Sequence, residues 1–243
     1  LELVTSFIKG FMRGDSCSIV RKGAFSMYKK RVGITQRVMK HPRYNEMMDC
    51  LDINWAKFLI SIDILPVPLS LAPASSADDI WKALELDGLI LSGGNTLVEY
   101  ADATDKPESL SPERDAYEKA LLKAALSTGQ PILGVCRGLQ VINTYYSGQL
   151  TKIKGHAGTR HRLLAADSSN AFQFPSEVNS FHDCVVSRAK LGKELIPLAH
   201  DAKGNIEAFY HPKDKVLGIM WHPEHENPPL QPDCELIKRH FGL

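Results

Sequence analysis

The sequence predicts an α/β fold, a three-layer sandwich with a mostly parallel central sheet and an antiparallel extension. Two observations carry this expectation. Short apolar runs alternate with stretches of helical period from residue 30 to residue 135, and beyond about residue 150 the helical stretches thin out while strand-like runs continue. A third supports it: 44% of the 243 residues are hydrophobic and 23% charged, enough to bury a large core and unlike a disordered chain.

The elements follow in order. Residues 1–29 are expected to form an N-terminal extension or linker, in which Leu3, Val4, Phe7, Ile8 and Phe11 have the spacing of a short helix; the tail of an upstream fused domain would look like this. One main domain is expected over 30–243, because no linker-like or charged block divides it. Residues 32–35 read as a buried strand. The stretch 44–60 reads as a helix with Met47, Met48, Leu51, Trp55, Phe58 and Leu59 at helical spacing. Then come a strand at 64–69, a helix at 77–84, a strand at 88–91, a helix at 114–126 and a strand at 131–135. Runs at 184–187, 205–209 and 216–220 read as antiparallel strands. Trp55, Trp81, Cys50 and Cys234 are expected in the core or on helix faces.

Composition excludes several function classes. The formal net charge is +1 and the basic residues are scattered, which does not fit a nucleic-acid partner. No apolar stretch approaches the roughly 18–20 residues that span a bilayer, and no signal-peptide core is present, so no membrane partner is expected and the cytoplasm is the expected location. Five cysteines at irregular spacing, Cys17, Cys50, Cys136, Cys184 and Cys234, fit neither a disulfide framework nor a zinc ribbon. That leaves room for one as a nucleophile.

In open parallel sheets, function sits at the carboxyl ends of strands. The strand at 131–135 delivers Cys136 between Gly134 and Gly138 and runs into a helical stretch, the G-x-C-x-G form of a nucleophile elbow. A helix N-terminus there favours a thiolate. Alone, the pattern fits a core cysteine between packing glycines equally well. Near the C-terminus an apolar strand ends in His222, Pro223 and Glu224, which can supply a base and the carboxylate that orients it, since residues two apart in extended chain share a face. His225 and Glu226 lie next to this pair, but no third cluster has ligand spacing, so neither a metal nor an organic cofactor is expected. The strand at 88–91 runs into Ser92, Gly93, Gly94 and Asn95, where bare backbone amides can face a carbonyl oxygen; the Gly94 and Arg137 N–H groups would complete a two-donor oxyanion hole. His156 and His161 read as loop residues at the pocket rim rather than ligands.

Together these residues resemble the class I glutamine amidotransferase superfamily, whose fold is flavodoxin-like, and within it the γ-glutamyl hydrolase branch of the Peptidase C26 type. The resemblance spans roughly residues 30–243. It rests on Gly33-Ile34-Thr35, Ser92-Gly93-Gly94-Asn95, Arg114-Asp115-x-Tyr117-Glu118, Gly134-Val135-Cys136-Arg137-Gly138-x-Gln140, Val178-Asn179-Ser180-x-His182, Ile206-Glu207-Ala208 and Trp221-His222-Pro223-Glu224. It implies a Cys136–His222–Glu224 triad that cleaves a γ-glutamyl amide through a thioester, with oxyanion amides from Gly94 and Arg137. It also implies glutamyl contacts from Gly93, Asn95 and Gln140, and a pocket-closing loop at Asn179, Ser180 and His182. The family's second His and Gln after that loop are here Asp183 and Cys184, and its Gly-Gly after the nucleophile helix is Ser147-Gly148.

Further stretches, among them Gln36-Arg37 and Glu226-Asn227, resemble the γ-glutamyl-CDP-amidate hydrolases of bacterial capsule phosphoramidate synthesis. This implies a small-molecule γ-glutamyl substrate, and leaves a homodimer and a fused or neighbouring nucleotidyltransferase open as partners. Arg37 and Arg43 fit two readings equally, phosphate-pairing groups for the leaving half and solvated loop charges. The rival functional readings are a glutaminase subunit that passes ammonia to a synthase and an inactive binding protein of the same fold.

Overall fold

The computed structural model describes residues 28–153, 155–166 and 172–243. The helix expected within residues 1–29 lies outside the described residues. The chain opens with β1 (Lys30–Thr35), then a hairpin of β2 (Arg37–Lys40) and β3 (Met47–Cys50), α1 (Ile53–Ser61), β4 (Ile64–Leu69), α2 (Ala77–Leu84), β5 (Gly88–Leu91), α3 (Pro112–Ser127), β6 (Ile132–Val135) and α4 (Arg137–Tyr145). After that come β7 (Thr151–Lys152), β8 (Thr159–Arg162), β9 (Leu164–Ala165), β10 (Glu177–Ser180), β11 (Cys184–Ser187), β12 (Ile196–His200), β13 (Asn205–His211), β14 (Val216–Ile219) and α5 (Gln231–His240).

The main sheet has the order β4-β1-β5-β6-β14-β13-β11-β7, with β12 and β9 continuing from β13. The first five strands are parallel and the rest antiparallel. Side-chain alternation splits the core in two. Leu89 and Leu91 face a cluster with Trp81, Leu121 and Leu139, from α2, α3 and α4. Ile90 faces a cluster with Trp55, Phe58, Leu59 and Ile237, from α1 and α5. Helices therefore cover both faces of a parallel sheet, the three-layer arrangement expected.

Two expectations are corrected. The helix expected over 44–60 begins only at Ile53. Asp52 caps it by accepting from the Asn54 N–H at 2.9 Å, and the half before it is β3, paired antiparallel with β2. The apolar residues of that half are not a helix face: Met47 is 58% exposed, while Trp55, Phe58 and Leu59 are buried. A period-3.6 pattern made partly of exposed residues carries no packing energy, so pairing with β2 wins. The run expected as an antiparallel strand at 216–220 is β14, antiparallel to β13 but parallel to β6, and joins the two halves of the sheet.

After β1 the chain builds outward to β4, then returns to the other side of β1 to form β5. The strand order reverses between β1 and β5, where an open α/β sheet leaves a crevice at its carboxyl edge. Among the described residues no helix is long and apolar enough to cross a membrane.

Candidate active site

Cys136 caps α4 directly after β6, with φ 52° and ψ −106°. For a non-glycine residue this backbone is strained. The two flanking glycines are required by space. A Cβ at Gly138 would lie 1.9 Å from the Leu91 carbonyl oxygen, and one at Gly134 would lie 2.5 Å from Ile142 Cδ1 and 2.6 Å from the Gly138 backbone. The strand-to-helix turn closes only because neither has a side chain. Cys136 is 7% exposed and stands at the N-terminus of α4, where helical N–H groups without intrahelical partners favour negative charge.

His222 follows β14 on the adjacent parallel strand, and its Nδ1 lies 2.7 Å from Glu224 Oε1. The carboxylate reaches it through a tight turn at Pro223–His225 rather than through extended chain. The backbone of His222 is held on both sides by one amide: Asn179 Oδ1 accepts from the His222 N–H at 2.9 Å, and Asn179 Nδ2 donates to the His222 carbonyl at 2.8 Å. His225 stacks on the imidazole at 4.7 Å with an interplanar angle of 7°. The edge of Phe181 meets both rings. Burial opposes a charged His222, but the Cys136 sulfur, by charge and hydrogen bond, and then Glu224 outweigh it, and its pKa is pushed up to about 10.

The turn after β5 completes this edge. Arg114, on α3, donates to the carbonyls of Ser92 at 3.0 Å, Gly93 at 3.1 Å and Gly94 at 2.6 Å. A trans peptide sets each C=O opposite the following N–H, so the Gly94 N–H faces away from Arg114. Gly94 has φ +79°, and a Cβ there would strike the Arg37 side chain at 2.8 Å. Arg137 is the first residue of α4; its guanidinium turns into the core, pairing with Glu118 and Asp115. Only its backbone is therefore available to a substrate beside Cys136.

A cleft opens here, lined among others by Arg37, Asp52, Gly93, Gly94, His222 and His225. Of the residues proposed from sequence, Arg37, Gly93, Gly94, His222 and Glu224 line it, and Cys136 lies beside Gly93 and His222. Gln140 is buried on α4 and donates to the Cys184 carbonyl at 3.2 Å. The Asn95 side chain is committed elsewhere: its oxygen accepts from Val38 N at 2.8 Å and Arg114 Nη1 at 2.9 Å, and its nitrogen donates to Val38 O at 2.9 Å. Asn95 thus ties β2 to the site. Ser180 is fully buried. His182 is not among the residues lining the cleft; its imidazole packs 5.3 Å from that of His156. Burial pushes the His182 pKa down to about 4. His156 lies in the loop before β8 as expected, though buried, whereas His161 lies on β8 and not in a loop; neither lines the cleft. Arg43 is exposed in the β2–β3 loop, away from the cleft lining.

Sequence reasoning gave no role to Asp52, Phe181 or the stacked His225, and none of these carries a local motif. Arg114 and Glu118 did carry a signal, opposite charges four apart, but on a helix that also carries Glu113, Asp115, Lys119 and Lys123 their burial could not be read from it.

Gly93 offers a direct test of the packing. A Cβ there would lie 2.6 Å from His222 Cε1 and 3.5 Å from Cys136 Cβ. Gly93→Ala should lower kcat by about 10²-fold through displacement of the imidazole, at a stability cost of about 1–3 kcal/mol. Steady-state kinetics and thermal melting on the same sample separate the two effects.

A parallel sheet covered on both faces, with a cysteine elbow and a histidine–carboxylate pair on adjacent strand ends, defines a class I glutamine amidotransferase-like fold. A glutamine amidotransferase from Thermotoga maritima superposes with a TM-score of 0.57 at 16% identity, covering 88% of this chain and 84% of that one. Residues 31–224 match the Peptidase C26 family model, and the chain belongs to that family of hydrolases. It is 36% identical over 216 residues to the gamma-glutamyl-CDP-amidate hydrolase of Campylobacter jejuni, covering 87% of this chain and 98% of that protein. It is also 26% identical over 168 residues to a glutamine-hydrolysing GMP synthase chain of Methanococcus aeolicus, covering 68% of this chain and 79% of that one.

Proposed function

We propose that this protein hydrolyses a γ-glutamyl amide whose leaving group carries a phosphate or nucleotide. The observation that carries the reading is the 2.7 Å contact of His222 Nδ1 with Glu224 Oε1, on an imidazole that adjoins the strained Cys136 elbow. Cys136 Sγ attacks the γ-carbonyl carbon, and the oxyanion is held by the Gly94 and Arg137 N–H groups. The imidazolium of His222 gives its proton to the departing nitrogen, leaving a γ-glutamyl thioester and a free amine. His222, now neutral, takes a proton from water as it attacks the thioester, and glutamate leaves with Cys136 restored. Glu224 keeps the imidazole turned so that the other nitrogen meets the sulfur.

Two features support the leaving-group assignment. Arg37 lines the cleft over Gly94 and can pair with phosphate oxygens; Asp52, in the same lining, offsets part of its charge. The similarity to the Campylobacter jejuni hydrolase extends over nearly all of that protein.

The test is a panel of γ-glutamyl amides with the purified chain. A γ-glutamyl phosphoramidate or nucleotide conjugate should show at least about tenfold higher kcat/KM than glutamine or γ-glutamyl-γ-aminobutyrate, a difference of about 1.4 kcal/mol in transition-state binding. Arg37→Ala should remove that preference and leave Cys136 reactive toward a small electrophilic glutamine analogue. Preference for an uncharged amide, or an unchanged preference in Arg37→Ala, overturns the phosphate assignment. The likeness to the GMP synthase chain supports a second reading, ammonia delivery to a synthase; steady hydrolysis by the isolated chain counts against it.

A further inference from the structure

Outside the cleft, four titratable side chains meet between the β8–β10 ribbon and the main sheet. His156 precedes β8, His161 lies on it, His182 follows β10, and Glu207 lies on β13. Glu207 is fully buried and His182 is 3% exposed. Neither Glu207 oxygen, nor His182 Nε2, nor His156 Nδ1 has a hydrogen-bond partner among the described residues. A desolvated carboxylate in that state is costly, and the His161 Nε2 contact at 3.4 Å relieves only Glu207 Oε2, and only marginally.

The tautomer of His182 sharpens this. Its Nδ1 lies 3.1 Å from the Cys184 carbonyl, which can only accept, so Nδ1 carries the hydrogen and Nε2 presents a lone pair. That nitrogen lies 3.7 Å from Glu207 Oε1, two lone-pair atoms side by side when Glu207 is ionised. One ligand atom from each of His156, His182 and Glu207 lies within 4.8 Å of the other two. Each also has an outer partner of the kind that orients metal ligands. His182 Nδ1 meets the Cys184 carbonyl, His156 Nε2 lies 3.7 Å from Asp201 Oδ2, and Glu207 Oε2 lies 3.4 Å from His161 Nε2.

We propose that His156, His182 and Glu207 bind one divalent transition-metal ion of the Zn²⁺ type, with His161 and Asp201 as outer partners. Two imidazoles and a carboxylate suit that ion. Its ligand atoms would stand about 3.3 Å apart, from bond lengths of about 2.0–2.1 Å, which requires the widest separations to contract by about 1.5 Å at most. The ion clamps the loop before β8 and the end of β10 to β13. Because β10 carries Asn179, the clamp also steadies the strand that holds His222.

The test uses the full chain with Cys136→Ser, which removes the catalytic sulfur as a competing ligand. After chelator treatment and buffer exchange, calorimetric titration with Zn²⁺ should show one ion per chain, Co²⁺ should give the visible bands of a low-coordinate site, and Zn²⁺ should raise Tm. In the same background, Glu207→Gln and His156→Asn should each weaken binding by at least about 100-fold and abolish the rise in Tm. His156 lies in a loop, so its variant keeps the test decisive if Glu207→Gln does not fold. Absence of stoichiometric binding overturns the proposal, as does binding that survives both variants or is lost only when His225 is replaced. No outcome depends on hydrolytic activity, so failure of the clamp and failure of the proposed reaction are distinguishable.

Discussion

Replacing His222 with alanine should lower kcat for γ-glutamyl amide hydrolysis by about 10⁴–10⁶-fold, and Cys136→Ala should do the same, because sulfur and base act as one unit. Glu224→Gln should leave a remnant, about 10²–10⁴-fold below the parent. The remnant has a structural cause. Asn179 grips the His222 backbone independently of Glu224, and His225 stacks on the ring, so the imidazole keeps its place when the carboxylate is lost. The pH profile gives a second readout. The pKa of His222 is raised from the ordinary 6.5 to about 10, so the imidazolium persists through neutral pH and the alkaline fall in kcat/KM should lie near pH 10. Glu224→Gln should move that fall to lower pH. The same shift means that stability from the protonated pair is fully present below about pH 6.5 and is lost as pH rises toward 10. Steady-state kinetics across pH would check all three variants, and labelling by an electrophilic glutamine analogue, in the parent and in the two variants that keep Cys136, would check the nucleophile. Full activity in His222→Ala, or equal labelling of Cys50, Cys184 or Cys234, would sink the assignment.

Glu118→Gln should be the most destabilising conservative change near the site. Glu118 is fully buried and bonds Arg114 Nε at 2.8 Å, Thr35 Oγ1 at 2.7 Å and the Arg137 guanidinium. Arg114 and Arg137 are each 1% exposed, so removing the carboxylate charge leaves two guanidinium groups in the core with Asp115 as their one counter-ion among the described residues. Breaking a buried pair from one side costs about 3–5 kcal/mol. In a domain of this size that is a fall in Tm of about 6–20 °C. Burial works against the Glu118 carboxylate, but Arg114 and Arg137 outweigh it and hold its pKa below the ordinary 4.5. Its contribution is therefore present above about pH 4.5 and lost as pH falls through the lower folded value, so the variant should also lose part of the parent's acid sensitivity. Thermal melting at pH 7 and pH 4 measures both effects. Activity should fall as well, since Arg137 adjoins Cys136 and Arg114 orients the Ser92–Gly94 carbonyls; an unchanged Tm would refute the network's role.

Much of this protein was determined by local sequence. The elements at 64–69, 77–84 and 88–91 lie where their residues predict, because each is a short apolar run or an amphipathic stretch whose partners reward the same pattern. The G-x-C-x-G elbow was legible for a similar reason: the two glycines stand where any Cβ would meet backbone or a packed side chain. Tertiary structure alone decided the rest. Whether Met47 and Met48 belong to a helix or a hairpin depends on what lies opposite them, and β2 lies there. Asn95 and Asn179 were read as substrate contacts from the motifs they sit in; the fold turns one amide to Val38 and Arg114 and the other to His222, at sequence separations no local rule spans. The meeting of His156, His182 and Glu207 was likewise hidden, because the three residues are spread over more than fifty positions and become neighbours only when the β8–β10 ribbon folds against β13. Periodicity and turn chemistry act over a few residues and set the elements; charge pairing and desolvation act through space, and only the packed sheet determines which side chains they join.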